Sequence, residues 1–289
     1  MSDSSPGMRL RSAVEDQTIQ VPGVPNALVG RLAESCGYGA IYLSGAALSA
    51  GVLAVPDVGL FSRDELVQQA GYMTRRVEVP LIVDADTGFG DAEATAETVT
   101  ALEAAGVAAV QLEDQELPKR CGHLSGKTLV SCEAMCEKIR AAVAAKNDPS
   151  LVIIARTDAR GVSDFDDAIA RAKAYVEAGA DWIFPEALQS HDEFAQFFEA
   201  VDVPLIANMT EFGKSPLLTL DALADLGYAV VLYPVTMLRV AMKAMEAALE
   251  VIGDEGCQSG LLDLMQTREE LYELIDYDDF ESQDREHFS

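Results

Sequence analysis

Leu151-Val152-Ile153-Ile154-Ala155-Arg156-Thr157-Asp158 opens as four uninterrupted aliphatic residues and closes in charge. An apolar run without alternation reads as a strand buried on both faces, and strands of that kind belong to parallel sheets covered by helices. Seven further short runs share this character: Thr18–Val21, Ala40–Leu43, Pro80–Val83, Ala108–Leu112, Asp181–Phe184, Pro204–Ala207 and Ala229–Leu232. Helical patterns separate them. Pro25–Ser35, Ser62–Arg76, Asp91–Ala105, Ser131–Ala145, Ser163–Ala178, His191–Ala200, Leu220–Leu226 and Val235–Ile252 carry the helix signals. Ser62 and Glu65 form a capping box, and Gly106, Gly179 and Gly227 stop their helices. Eight β/α alternations predict an α/β protein of the (β/α)8 TIM-barrel type. A doubly wound sheet competes, but it needs no eighth strand. The pair Gly88-Phe89-Gly90 is followed by Glu93 where a dinucleotide fingerprint wants its third glycine. One domain is expected over residues 1–289, with a helical extension from about 253 that holds a helix at Gly260–Ile275 and an acidic end.

Charge is the outlier of the composition. Asp and Glu number 48 against 21 Lys and Arg, a net charge of −27, which repels phosphate backbones and excludes general nucleic-acid binding. Only 7 of the cations are Lys, and the acids are scattered, so the chain reads as adapted to high internal salt, where self-repulsion is screened. No apolar run is long enough to cross a membrane, and the first residues carry no signal-peptide pattern, which makes the expected location cytoplasmic. Five cysteines, an odd number, point to reduced thiols.

Catalytic groups of a barrel sit just beyond the C-terminal ends of its strands. Applied as a filter, that rule selects Ser44-Gly45-Ala46, Asp84-Ala85-Asp86, Glu113-Asp114, Arg156-Thr157-Asp158, Glu186, Asn208-Met209-Thr210-Glu211, Tyr233 and, a turn later, Arg239. A purely structural barrel needs none of them there. Asp84, Asp86 and Glu113 would repel one another unless a cation joins them, and hard oxygen ligands suit Mg2+ or Mn2+. Asp91 and Asp181 read instead as a cap or ion-pair partner.

The segment Pro118-Lys119-Arg120-Cys121-Gly122-His123 surrounds one thiol with two cations and an imidazole. That neighbourhood is expected to lower the thiol's pKa. Gly122 permits close backbone approach, and the connection from Asp114 to Val130 is long enough to be a lid. A zinc site of Cys121, His123, Cys132 and Cys136 is the rival reading. Its spacing fits poorly, and Cys132 and Cys136 lie one turn apart on an apolar helix face. Cys36, Cys257, His191 and His287 are expected to be inert.

Taken together, Lys119-Arg120-Cys121-Gly122-His123 and Asp84-x-Asp86-Thr87-Gly88-x-Gly90 resemble the isocitrate lyase/phosphoenolpyruvate mutase superfamily, and within it the 2-methylisocitrate lyases. The likeness continues through Leu43-Ser44-Gly45, Pro56-Asp57, Ile153–Asp158, Phe184-Pro185-Glu186, Asn208–Gly213, Tyr233-Pro234 and Thr267–Tyr272, roughly residues 8–275. It implies a barrel whose C-terminal helix is exchanged between subunits of a homotetramer. The implied reaction is cleavage of a small tricarboxylate, 2-methylisocitrate, to pyruvate and succinate in the methylcitrate cycle of propionate breakdown. By the same resemblance Asp84 and Asp86 hold Mg2+, with Asp57 and Glu113 in its water shell. Ser44, Gly45, Ala46 and Arg156 would take the pyruvate half. Gly122, Glu186, Asn208, Thr210 and Arg239 would take the succinate carboxylates, with Met209 beside them, and Arg268 would complete the site from a neighbouring chain. Cys121 would deliver a proton, tuned by Lys119, Arg120 and His123, while Tyr42 and a carboxylate of the metal shell are both candidate bases.

Relatives with the same cysteine loop cleave isocitrate or dimethylmalate, or hydrolyse oxaloacetate. Phe184, where isocitrate lyases resemble one another in carrying Trp, leaves room for a methyl group and favours the methyl-bearing substrate. A carboxylate-binding barrel without catalysis is the reading from another class, and it has no use for an acid at Cys121.

Overall fold

The computed structural model describes residues 4–124 and 126–281; His287 lies outside them. In chain order come α1 (Pro6–Ala13), β1 (Ile19–Pro22), α2 (Ala27–Ser35), β2 (Ile41–Leu43), α3 (Gly45–Gly51), α4 (Arg63–Thr74) and β3 (Leu81–Asp84). There follow α5 (Ala92–Ala104), β4 (Ala109–Glu113), α6 (Cys132–Ala145), β5 (Val152–Thr157), α7 (Ala159–Val162), α8 (Phe165–Glu177) and β6 (Trp182–Pro185). Last are α9 (His191–Ala200), β7 (Ile206–Asn208), α10 (Leu220–Asp225), β8 (Val230–Tyr233), α11 (Thr236–Glu255), a 3-10 turn (Ser259–Leu264) and α12 (Arg268–Leu274).

All strand pairs are parallel. β2 through β6 form one arc, and β7, β8 and β1 form another. Isolated bridges Gly23–Tyr42 and Ile183–Leu205 join the arcs and close the ring. Each strand begins one or two residues later than the apolar pattern alone suggests, and most end later. The charged or polar residue that looks like the start of a loop is still paired: Asp84 opposite Gln111, Glu113 opposite Arg156, Asn208 opposite Leu232.

Strand alternation sorts the side chains between two cores. Leu81, Val83, Val110, Leu112, Ile153, Ala155, Ile183 and Val231 pack outward against the helices. Tyr42, Ile82, Ala109, Val152, Ile154, Trp182, Phe184, Ile206 and Leu232 fill the barrel. Asp84, Glu113, Arg156 and Asn208 share the inward parity and follow the interior side chains at the C-terminal rim.

Helix α1 went unread in the sequence, because Ser5-Pro6-Gly7 looks like turn punctuation. Here Ser5 is the N-cap and Pro6 the first helical residue, where its missing N–H costs nothing. Gly7 lies against the Ser150 backbone, which a Cβ would meet at 2.4 Å. Arg11 ties the helix to the Ser150 carbonyl at 2.8 Å and to Asp181 at 2.6 Å. Leu10 thereby enters the interior core, fully buried, and stoppers the end of the barrel opposite the polar rim. Other expected caps are in place at Ser62 and Asp91, and Asp181 also pairs with Lys146.

The C-terminal segment corrects one expectation. Gly260–Ile275 is not a single helix: the 3-10 turn ends at an extended Met265, and Thr267 with Glu270 starts α12 through its own capping box. The short α3 was also missed, its Gly-Ala-Ala-Leu-Ser-Ala-Gly composition carrying no periodic signal. Among the described residues no helix is long and apolar enough to cross a membrane. Replacing the stopper by Leu10→Ala is expected to cost ~2–5 kcal/mol, read as a shift of the urea unfolding midpoint at unchanged slope.

Candidate active site

The ends of β2, β3, β5, β6, β7 and β8 converge on one cavity, with the end of β4 behind it. Asp84, the last residue of β3, accepts the Gly45 N–H at 3.2 Å, the Asp86 N–H at 3.1 Å and Gln111 Nε2 at 3.1 Å. Asp86 stands in the left-handed region (φ 48°), which turns its carboxylate back toward Asp84 and Glu113. One ligand atom from each of the three carboxylates lies within 4.8 Å of the others, the sole such cluster of His, Cys, Asp and Glu among the described residues. Gly45 is required beside it: a Cβ there would sit 2.9 Å from Asp86 and 3.3 Å from Asp84. Burial, helped by Asp84 and Asp57 against the pull of Lys119, pushes Asp86 up to about 7. Burial also holds Glu113 well above the usual carboxylate range, and its Oε1 is enclosed without a hydrogen-bond partner. Three crowded, desolvated carboxylates with an unsatisfied oxygen are a donor set that fits a hard divalent cation.

The lid loop supplies a cation of its own. Lys119 Nζ is 2.7 Å from Asp86 and also pairs with Asp57. Burial alone would lower its pKa, but Glu113, Asp86 and Asp57 outweigh that and hold it charged. Opposite, Arg156 reaches three carboxylates: Asp158 at 3.0 Å, Glu113 at 3.3 Å and Glu186 at 3.3 Å, with its guanidinium 5.4 Å from the centre of the Phe184 ring. Burial works against ionising Glu186, yet Arg156 and His123 bring it down to about 2. His123 Nε2 meets Glu186 at 2.6 Å, and Nδ1 accepts the Lys214 N–H at 2.8 Å. An accepting Nδ1 puts the ring proton on Nε2, aimed at Glu186. Asn208 donates to both oxygens of Glu186 at 3.3 Å.

Ser44, Ala46, Asp57, Lys119, Arg120, Cys121, Gly122 and His123 face the cavity from one side. Tyr42, Asp84, Arg156, Glu186, Asn208, Thr210 and Arg239 complete its wall. Gly45, Asp86 and Glu113 lie behind that surface, within the carboxylate cluster and its backbone support. Two expected residues are elsewhere. Met209 has the opposite parity to Asn208 and Thr210; its side chain is in the barrel–helix core, where its sulfur accepts the Leu218 N–H. Arg268 opens α12, beside Tyr272 and Asp276, and does not line this cavity. Helix α12 is tied instead to α2, where Arg31 holds Asp276 at 2.7 Å and the Leu274 carbonyl at 3.1 Å.

The thiol also departs from expectation. Of the cations near Cys121 in sequence, Lys119 is directed into the carboxylates, while the Arg120 backbone bonds to Gln115. Burial raises the Cys121 pKa, and nearby Glu186 adds to this, against a backbone N–H of His123 and Arg156. Burial thus favours the thiol form of Cys121 over its thiolate. Cys132 and Cys136 pack in the helical layer, with Cys136 directed at the Ala174 carbonyl, so the zinc reading has no site. His191 is exposed at the first turn of α9, capped by Ser190.

Sequence reasoning put Asp158 at the rim without a task and missed Gln111 and Lys127 as site components. Gln111 links the Tyr42 hydroxyl, which donates to it at 2.8 Å, to Asp84. Lys127, wholly buried, donates to Asp158 at 2.6 Å and to the Gly122 carbonyl. Strand parity would have found Gln111, two residues before Glu113; nothing in the sequence marks Lys127.

A carboxylate cluster that fits a cation, a clamped guanidinium and a half-buried thiol stand at the rim of a (β/α)8 barrel, and the sequence profile of one family of barrel enzymes, phosphoenolpyruvate phosphomutase, matches residues 10–252. The chain belongs to that family, and to its 2-methylisocitrate lyase branch. It is 53% identical over 282 residues to the 2-methylisocitrate lyase of Aeropyrum pernix, covering 97% of this chain and 91% of that one. Among solved structures, 2,3-dimethylmalate lyase superposes with a TM-score of 0.93 at 32% identity, over 99% of this chain and 96% of that chain. Phosphonopyruvate hydrolase, in a complex with oxalate and Mg2+, superposes with a TM-score of 0.90 at 31% identity, over 99% of this chain and 100% of that chain.

The raised Cys121 pKa fixes its reactivity. Iodoacetamide at pH 8 is expected to label the exposed Cys36 and Cys257 well before Cys121 by peptide mass spectrometry, with Cys121 labelling climbing only above the pH range of exposed thiols. Preferential Cys121 labelling at pH 8 would overturn the thiol assignment.

Proposed function

We propose that this chain is a divalent-metal-dependent carbon–carbon lyase that cleaves 2-methylisocitrate to pyruvate and succinate, a cytoplasmic step of propionate breakdown. The observation that carries the reading is the Cys121 thiol, whose ionisation burial disfavours, facing across one small cavity a carboxylate cluster that fits a cation. Asp84 and Asp86 would hold Mg2+ or Mn2+, with Asp57 and Glu113 in its water shell, and the bound ion would acidify the substrate's 2-hydroxyl and stabilise the developing ketone.

The protein's own groups do the rest. A carboxylate of the cluster takes the hydroxyl proton. Tyr42 is the poorer base, since burial and Asp84 hold its phenol well above 10 and it already donates to Gln111. The O–H electrons form the keto bond of pyruvate, and the breaking C–C pair passes to the carbon beside a succinate carboxylate. That carbon takes the Cys121 proton. Arg156, Asn208, Thr210 and Arg239 hold carboxylates, with Glu186 and His123 orienting Asn208 and the lid. Ser44, Gly45 and Ala46 present backbone groups to the pyruvate half. Phe184 leaves space for the methyl group. The closed loop keeps water from the carbanion.

The test is pyruvate release from 2-methylisocitrate against glyoxylate release from isocitrate, with Mg2+, with EDTA, and in low and molar KCl. Expected are pyruvate formation abolished by EDTA, much slower turnover of isocitrate, higher activity in molar KCl, and a loss of about 10²–10⁴-fold in Cys121→Ser. Full activity of Cys121→Ser removes the proton-donor role. No turnover of either substrate transfers the reading to dimethylmalate or oxaloacetate.

The assembly belongs to the same proposal. Helix α11 runs for 20 residues without one buried side chain. Met242, Met245 and Leu249 stand exposed beside the rim of the cavity. A second copy covers this face by exchanging the C-terminal helix, in a homotetramer, and brings Arg268 to the neighbouring mouth. Light scattering should give the tetramer mass for the native chain and a smaller species for Leu249→Asp.

A further inference from the structure

Cys121 opens a tight turn. The Leu124 N–H donates to the Cys121 carbonyl at 2.9 Å, which makes Gly122–His123 the central peptide of a four-residue β-turn. The two ends of that peptide do different work. Its N–H, on His123, is the backbone group that favours the Cys121 thiolate against burial. Its C=O, on Gly122, accepts from Lys127 Nζ. Neither Gly122 nor His123 is among the residues with positive φ. A glycine in the second position of a turn also permits the alternative with its φ positive, in which the central peptide is turned over. In that alternative the N–H faces away from the sulfur.

The lysine itself is held on every side. Lys127 lies beyond Gly126, on the returning limb of the lid, and its side chain is wholly buried without lining the cavity. Its ammonium meets Asp158 at 2.6 Å, and Asp158 in turn takes Arg156 through both carboxylate oxygens, at 3.0 and 3.1 Å. Asp158 is fixed by its own N–H, which donates to Asp114 at 2.9 Å. Space for the ammonium comes from Gly161, where a Cβ would stand 3.2 Å from Nζ.

We propose that Lys127 is a positioning residue that locks the Gly122–His123 peptide, so that the His123 N–H faces the Cys121 sulfur and stabilises the thiolate left when the proton is delivered. The inference rests on Cys121 as proton donor and adds the device that receives the resulting charge. A charged donor on the carbonyl polarises the peptide and strengthens its N–H as a donor at the other end. Lys127 also joins the lid to the Arg156 network, so the orientation of the turn and closure of the loop are one event. The other groups bearing on the sulfur are Glu186, Arg156 and Asp57. The hydrogen bond to that peptide's carbonyl comes from Lys127.

The experiment compares native enzyme, Lys127→Met and Gly161→Ala, measuring the pH midpoint of Cys121 alkylation by iodoacetamide together with kcat and KM. Midpoints report thiolate stability, whereas the plateau rate reports access. Lys127→Met is expected to raise the midpoint by about 1 unit, the scale of one hydrogen bond to a charged group, and to lower kcat about tenfold with KM little changed. Gly161→Ala, which crowds the ammonium without removing it, should move both quantities the same way by less, and serves if the first variant misfolds by circular dichroism. An unmoved midpoint in a folded variant overturns the proposal even if kcat falls, because a merely structural lysine would alter only rate or access. A moved midpoint with full activity of Cys121→Ser would leave the peptide lock standing and remove the proton-delivery role instead.

Discussion

A single buried guanidinium decides the shape of the mouth. Arg156 gathers Glu113 from β4, Asp158 from beyond β5 and Glu186 from beyond β6, three anions that would otherwise drive those strand ends apart. A buried charge of either sign is costly alone, and the cluster persists because each member satisfies the others. Everything nearer the solvent is built on it. Glu186 places Asn208 and His123, and Asp158 places Lys127. The lid settles over this frame so closely that a Cβ on Gly122 would lie 2.3 Å from Arg156.

The cavity is divided electrostatically. On the side of Tyr42, Gln111 and Asp84 the carboxylates outnumber their partners, and burial drives Asp86 and Glu113 toward their protonated forms. On the side of Glu186 the cations prevail and the carboxylate is held ionised. Groups of one chemical type are thus set to opposite tasks by their neighbours. One half of the cavity has room in its charge balance for a cation from solution, and the other is balanced within the chain. Lys119 bridges the halves, since it belongs to the lid yet spends its charge on Asp57 and Asp86.

The architecture was legible because strand parity and helix signals agree at nearly every step. Ile154 points in, so Arg156 points in; Ile82 places Asp84 by the same rule. Where the reading failed, a local pattern carried two meanings. Ser5-Pro6-Gly7 is turn-like in composition and a capped helix start in fact. Met209 was grouped with Asn208 and Thr210 by proximity, although alternation sends it the other way. Lys119 and Arg120 adjoin Cys121 in sequence, but in space Lys119 is spent on Asp57 and Asp86, and burial governs the thiol instead. Lys127 gave no signal at all, since its partners, Asp158 and the Gly122 carbonyl, are defined only once the loop has folded back on the rim.

Leu10 turns the barrel into a cul-de-sac. With α1 seated across the far end, the polar rim is the only doorway of the interior core described here, and that doorway is also where the lid sits. A single mouth means that any molecule held over the carboxylate cluster and any molecule held beside Cys121 would pass the same loop on the way out.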